Sequence, residues 1–411
     1  MSKPLVTSRR RASLFLSLML GMSLTGINHA WADPRELTQT DVAFESLDKT
    51  VSFQTDFPGG KIDRLVERGS DEFEIVIKPE VEPINDSAWY AFRVQSTDTQ
   101  EIDIRLRYEG GSHRYAPKIS HDRKTWKSAD QMIVARHPGG REVTLRVPVS
   151  EKALWVSGQE IVSNRDIKNW ISTLAEKPYV DDNVIGESVQ GQPLYQMQIG
   201  NEDARDSIFI LSRQHPPEVT GTIGMMHFVE VLSADTKLAK RFREKFLTVV
   251  VPIANPDGVE HGYWRANANG VDLNRDWQHF TQPETAAIRN ELVRLTEREN
   301  GRPWLFLDFH STYNELFYTA PQENDLFPRG FTKQWLAAID KRMPSFDVLR
   351  DDAHNAHRAT SKSWVARELG IHAITYEFGD ETERERIREI AEASAKEMMK
   401  LLLKFKEVDA S

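Results

Sequence analysis

Hydrophobic and polar residues alternate with a period of two over much of 50–157, and the pattern then changes character. Phe73, Ile75 and Ile77, then Ile102, Ile104 and Leu106, and later Val143, Leu145 and Val147 each line one face of a strand. Trp89, Tyr90 and Phe92 stand at strand spacing in another segment, and glycine pairs at 59–60, 110–111 and 139–140 supply turns. This pattern predicts an antiparallel β-sandwich of about seven or eight strands. Beyond 163, continuously apolar runs alternate with helical patterns. A helix is predicted over 164–174 with Asn164 as its cap, followed by strands over 183–188 and 194–199. Buried strands follow at 208–211, 247–253, 304–309 and 373–376, with helices over 222–232, 284–299, 332–343 and 381–405. Strands without a polar face, interleaved with helices, specify a mixed sheet covered on both faces. The expected fold is α/β, a mixed sheet flanked by helices over 163–411, preceded by the antiparallel β-sandwich over 33–162.

Residues 1–32 follow neither pattern. Lys3, Arg9, Arg10 and Arg11 precede an apolar run over 14–27, and Ala30, Trp31 and Ala32 precede Asp33. That is the charged, apolar and small-residue order of a secretory signal peptide. The run is short and broken by glycine and serine, which argues against a membrane span. The expectation is an exported protein, periplasmic or secreted, without stable membrane association after signal cleavage. Cleavage after Ala32 removes those four positive charges and no negative one, taking the net charge from −9 to −13. A chain this acidic has no general affinity for nucleic acid or anionic lipid. It contains no cysteine, which excludes disulfides and thiolate metal ligands.

The candidate chemistry lies where buried strands end. The strand over 208–211 runs into Arg213, Gln214, His215, Pro216, Pro217 and Glu218. Two prolines cannot continue a ladder, so an imidazole and a carboxylate three residues apart are left at the sheet rim. Such a pair suits catalytic zinc, which takes three protein ligands and keeps a fourth position open, but a bare surface turn has the same spacing. The strand over 304–309 ends in His310, Ser311 and Thr312, which makes His310 the best candidate for the third ligand. His227 falls in a helix, while His354, His357 and His372 have no carboxylate at matching spacing. His113, His121 and His137 lie near turns of the β-region and read as solvated loop residues.

Glu377 closes the last buried strand, where a carboxylate is costly unless it has a partner or a task. Taking a proton from a water that attacks a carbonyl is such a task. Between these positions lie Asn255, Pro256, Asp257 and Gly258, then Tyr263, Trp264 and Arg265, then Asp272, Leu273, Asn274 and Arg275. One arginine here could stabilise an oxyanion, and a forked guanidinium could hold a substrate carboxylate.

HPPE, NPDG with its downstream arginine, DLNR, DFHS and YEFG, in this order, resemble the motifs of the M14 zinc metallocarboxypeptidase family, and the resemblance covers 164–405. It implies one zinc ion per chain held by His215, Glu218 and His310, with Glu377 as general base. It also implies that Arg265 polarises the scissile carbonyl and that Asn274 and Arg275 hold the terminal carboxylate of a peptide. Asp272 matches the carboxylate that orients the first zinc histidine. The upstream β-region, with its junction over 155–170, is similar to that of the cytosolic carboxypeptidases, a branch that includes tubulin deglutamylases. The export signal departs from that branch, so a tubulin-like substrate is not implied. Many family members also place a mobile tyrosine between the last two motifs. No tyrosine lies between Tyr318 and Tyr376 here, and Tyr376, beside Glu377 on a strand, should point to the opposite face.

Side-chain preference in this family is set by a residue upstream of the catalytic glutamate, and Lys362 stands fifteen positions before Glu377. An ammonium there favours an acidic departing residue. For an exported enzyme, peptidoglycan stem peptides (muropeptides) are an alternative substrate, with Arg213, Arg275 or Lys362 to receive their extra carboxylates. An amidase on the same scaffold is a further alternative. An inactive carboxylate-binding module is disfavoured, because ligands, base and oxyanion arginine are all present.

Overall fold

The computed structural model describes residues 36–38 and 43–409, apart from 300 and 322. The predicted signal peptide lies outside these residues. No helix among them is long and apolar enough to cross a membrane.

The N-terminal part is two six-stranded sheets packed face to face. One runs in the order Glu36–Thr38, Arg64–Glu67, Glu72–Ile77, Gln100–Tyr108, Glu142–Val149 and Ile133–Arg136. The other runs Ala43–Glu45, Val51–Gln54, Ala91–Ser96, Leu154–Ser157, Lys118–Ser120 and Lys127–Ser128. The alternating residues meet between them: Ile75, Ile104 and Leu145 from one sheet pack with Phe53, Phe92 and Val156 from the other. The sandwich differs from the sequence expectation in two ways. It has more strands, because segments of two to four residues are too short to show alternation. It is also not wholly antiparallel, since Glu72–Ile77 pairs parallel with Gln100–Tyr108. The chain between that pair crosses to the second sheet to form Ala91–Ser96.

The C-terminal part is one eight-stranded mixed sheet in the order Val180–Glu187, Pro193–Ile199, Phe246–Val251, Asp206–Ser212, Arg302–Thr312, His372–Gly379, Leu316–Tyr318 and Arg350–Asp351. The four central strands are parallel and wholly or almost wholly buried. Successive residues of Asp206–Ser212 feed two different cores. Ile208 and Ile210 pack under the helices Val219–Leu232 and Arg384–Asp409, while Phe209 and Leu211 pack under Pro283–Glu297. Two-sided burial explains why these strands read as unbroken apolar runs.

Ser163, not Asn164, caps the helix Asn164–Ala175, and Asp166 returns the bond in a capping box. Sequence reading missed the short helices Lys237–Arg243, Pro256–His261 and Ser361–Leu369 and the short strands Leu316–Tyr318 and Arg350–Asp351, all too brief for a clear period.

After Asp206–Ser212 the chain crosses to Phe246–Val251 on one side, and its next strand, Arg302–Thr312, lies on the other. Such a reversal opens a crevice at the carboxyl ends of the strands, where open α/β sheets bind ligands. His215 and Glu218 sit on the turn leaving Asp206–Ser212, and His310 lies near the end of Arg302–Thr312. One contact fixes their separation. Gly221, in the first turn of Val219–Leu232, lies so close to Arg302–Thr312 that a Cβ there would come within 2.3 Å of the His310 carbonyl oxygen. Only glycine lets the helix and the strand approach this closely.

Candidate metal centre and active site

The turn after Asp206–Ser212 is shaped by Arg213, a non-glycine residue at φ 56°. Its buried guanidinium donates through Nε to the Pro216 carbonyl at 2.6 Å. Arg213 therefore braces the turn from behind and does not line the cavity, contrary to its suggested role toward a substrate carboxylate. The brace presents His215 and Glu218 to His310. His215 Nδ1 lies 2.8 Å from Glu218 Oε1, and His310 Nδ1 lies 2.6 Å from Glu218 Oε2. Glu218 also stands at the start of Val219–Leu232, where the helix dipole favours its charge.

The outward nitrogens are held as well. His215 Nε2 meets Asp272 Oδ1 at 3.0 Å, as the motif resemblance implies. His310 Nε2 meets Asp308 Oδ2 at 3.0 Å, a contact that sequence reading missed. Asp308 is fixed in turn by Gln214 Nε2 at 2.6 Å and by the Ser361 hydroxyl.

Among the described residues, His215, Glu218 and His310 form the group that could hold a metal ion, with one ligand atom from each within 4.8 Å of the others. Two imidazoles and a carboxylate suit zinc. The local field suits it too. Burial opposes charge at Glu218, but His215 and His310 outweigh it and hold the carboxyl well below the usual range. Burial likewise opposes charge at His310, but Asp308 and Glu218 favour a positive charge there. Glu218, whose two oxygens face the two Nδ1 atoms, favours a cation between them.

Glu377 is brought alongside by strand register, which pairs it with His310 across the parallel strands Arg302–Thr312 and His372–Gly379. Its carboxylate lines the same cavity, and Oε2 is buried without a hydrogen-bond partner in the protein. Burial, chiefly, pushes its pKa up to about 8. A buried acceptor without a protein partner is rare enough to need an explanation, and a water or substrate in the cavity supplies one. Tyr376 points the other way, its hydroxyl 2.9 Å from Ser394 Oγ in the core.

The segment between the strands explains its own residues. Asn255 Oδ1 caps the helix Pro256–His261 by accepting the Gly258 N–H at 3.0 Å, with Pro256 in the first turn. Gly262 ends that helix at φ 64°, the left-handed conformation that glycine favours, and directs the chain toward Arg265. Arg265 Nε donates to Asp272 Oδ2 at 2.6 Å, so one aspartate holds both His215 and Arg265. Burial opposes charge on Asp272, but His215, Arg265 and Arg275 keep its carboxyl well below the usual range. Asp272 also accepts the Asn274 N–H at 2.9 Å, shaping the turn Leu273–Arg275.

Asn274 is buried against the site, its Oδ1 accepting the Ser361 N–H at 3.0 Å. Arg275 lines the cavity and donates through Nη1 to the Asn274 carbonyl at 2.7 Å. Lys362 is buried in the first turn of Ser361–Leu369 and lines the same cavity. Its ammonium donates to the carbonyls of Thr319 at 2.9 Å and His354 at 3.0 Å. Apart from Arg213, the structure thus brings the predicted residues to one place, with Asp272 tying ligand to arginine from behind the cavity of about 320 Å³.

That architecture coincides with what sequence comparison finds: the model of the zinc carboxypeptidase family matches residues 167–397. The chain belongs to this family. The cytosolic carboxypeptidase N-terminal domain matches residues 53–157. An uncharacterized protein of Zymomonas mobilis is 27% identical over 253 residues, covering 59% of this chain and 64% of its own. Cytosolic carboxypeptidase 3 of Mus musculus is 22% identical over 307 residues, covering 66% of this chain. The match spans only 30% of that mouse protein. Among solved structures, a metallo-carboxypeptidase from Burkholderia cenocepacia superposes with a TM-score of 0.71 at 18% identity, covering 87% of this chain and 99% of its own. A metallo-carboxypeptidase from Pseudomonas aeruginosa, solved with (2-guanidinoethylmercapto)succinic acid, gives 0.71 at 20% identity, covering 86% and 99%.

Zinc carboxypeptidase membership implies zinc, and His215, Glu218 and His310 fit it. The cavity contains more than the family motifs foretell. Asn85, Asp86, Ser87 and Arg114 reach it from the β-layer, although no cluster of ionisable groups is visible in that part of the sequence. Arg114 Nε donates to Asp380 Oδ2 at 2.8 Å and Nη2 to the Ser311 carbonyl at 3.3 Å, tying the β-layer to the strand that carries His310 and to the residue that follows the strand carrying Glu377. Tyr313, 69% exposed, stands at the rim, and Tyr318 stacks on His354 with ring centres 4.1 Å apart. Both tyrosines place phenol groups beside the cavity. His354 lines it too, despite having no carboxylate at ligand spacing in sequence. His113 departs from the loop expectation, being half-buried with Nδ1 2.8 Å from the Tyr108 hydroxyl. Burial lowers its pKa to about 4.

Proposed function

We propose that the protein is a zinc-dependent carboxypeptidase that removes single C-terminal residues, with a preference for acidic ones. The observation that carries this reading is one cavity where a three-residue ligand group, a buried carboxylate without a protein partner and the Asn274–Arg275 pair meet. When bound, zinc polarises a carbonyl and lowers the pKa of a water molecule. The chain's own groups complete the chemistry. Asn274 and the guanidinium of Arg275 hold the terminal carboxylate, which selects the last peptide bond. Glu377 accepts a proton as water adds to the carbonyl carbon and delivers it to the departing amine as the C–N bond breaks. Arg265, aimed by Asp272, donates to the oxygen on which negative charge develops.

The acidic preference is assigned to Lys362. Two of its three N–H donors serve Thr319 and His354, which leaves one for a substrate carboxylate. Burial lowers its pKa to about 8, against the pull of Asp351 and Asp352. The ammonium is therefore present below that pH and is lost above it. The wild-type ratio of kcat/KM for Glu-ending over Leu-ending peptides should fall as pH rises through 8. In Lys362→Met the ratio should drop about 10–100-fold, the worth of one charged hydrogen bond, and lose its pH dependence. An unchanged ratio would remove Lys362 from substrate selection. Failure of the zinc-loaded protein to release a C-terminal residue from either peptide would remove the carboxypeptidase reading itself.

Export is proposed from the residue order of 1–32, and with it peptides of the cell exterior as substrates, muropeptides included. The Pseudomonas structure holds a succinic acid derivative, a type of ligand that the Asn274–Arg275 pair would suit.

A further inference from the structure

Three consecutive backbone N–H groups in the loop that carries Arg265 donate to a single side chain of the β-layer. Trp264 N–H reaches Glu80 Oε2 at 2.8 Å, while Arg265 and Ala266 N–H reach Oε1 at 2.9 Å and 2.5 Å. Glu80 follows the strand Glu72–Ile77 and lies 184 residues before Trp264. We infer that Glu80 is the positioning residue for Arg265, fixing from the β-layer where its guanidinium meets the substrate carbonyl. The inference rests on the role proposed above for Arg265.

Two features of the loop require such a hold. It is neither helix nor strand, so no ladder fixes its backbone. It also divides its side chains between two bodies. Trp264 is fully buried in the core of the β-sandwich, packed so tightly that a Cβ on Gly111 would come within 2.7 Å of its ring. Arg265, the next residue, turns back to Asp272 and the cavity. Successive N–H groups pointing at one spot make a nest for an anion. A carboxylate offers enough lone pairs for all three donors, whereas an amide turns an N–H₂ group against one of them. Asp272 aims the guanidinium, and Glu80 sets the backbone from which it projects. A misplacement of about 1 Å in a catalytic group costs about 100-fold in rate.

The test is Glu80→Gln, measured for kcat, KM, zinc content and melting temperature, alone and in an Arg265→Ala background. A fall in kcat of about 10–100-fold, with KM within about twofold and zinc retained, is expected, because the interaction disturbed is made in the transition state. In the Arg265→Ala background Glu80→Gln should cost nothing further, because a residue that acts through Arg265 has no effect once Arg265 is gone. Should Glu80→Gln fail to fold, Glu80→Asp, which keeps the charge on a shorter stem, is read in the same cycle. Additive losses in the double variant, or wild-type kcat in Glu80→Gln, would overturn the inference and leave the proposed function standing. Wild-type kcat in Arg265→Ala would overturn the role of Arg265 and the inference together.

Discussion

Glu377→Gln is expected to lower kcat by about 10²–10⁴-fold, the usual worth of a positioned general base, while the protein keeps its zinc and its fold. The substitution is nearly isosteric and replaces one buried oxygen, so the cavity keeps its shape. Burial disfavours charge at this position, so a neutral amide there should leave the fold intact. Activity with a Glu-ending peptide, zinc per chain and melting temperature are measured together. Lost zinc would mean that Glu377 serves the metal, and unchanged turnover would remove it as the base.

His310→Ala should give the complementary result. Two ligands remain, and Glu218 and Asp308 lose the imidazole lying between them. Losing an outer partner of a metal ligand commonly costs 10–100-fold in metal affinity, and losing the ligand itself should cost more than about 100-fold. Zinc per chain after dialysis should fall from near one toward zero, and peptide release should stop. Because Glu377→Gln keeps the metal and His310→Ala loses it, the pair separates base from ligand. Zinc retained at wild-type affinity in His310→Ala would place the metal elsewhere.

The four groups at the centre were legible because buried parallel strands announce their ends. A largely apolar run that ends shortly before His215, His310 or Glu377 marks a strand mouth, and the shared sheet then makes neighbours of residues far apart in sequence. Arg265, Asn274 and Arg275 were legible only through the order of the motifs, since they lie in loops whose course no periodicity dictates. Asp308 could have been found by the argument that found Glu377: a carboxylate within Leu305, Phe306, Leu307 and Phe309 must have a partner or a task. Glu80 and Arg114 left no such trace. Each is a charged residue near a turn of a β-domain, unremarkable until the fold carries it across to a loop or strand end, 185 residues away for Glu80 and 266 for Arg114. Contacts of this range depend on how the β-layer packs against the eight-stranded sheet, and neither pattern encodes that locally. Arg213 misled for the opposite reason. Its place beside His215 suggested the cavity, but a left-handed backbone turns it inward to brace the turn.

The central claim is that this cavity cleaves the last peptide bond of a chain with a free carboxyl terminus. It is tested most directly by incubating the zinc-loaded protein with a Glu-ending peptide and its C-terminally amidated twin, each with and without chelator, and following the products by mass spectrometry. Stepwise loss of single residues from the free peptide, at least about 100-fold slower from the amide and stopped by chelator, is the predicted result. Equal cleavage of both peptides, internal fragments, or release that persists in chelator would contradict it.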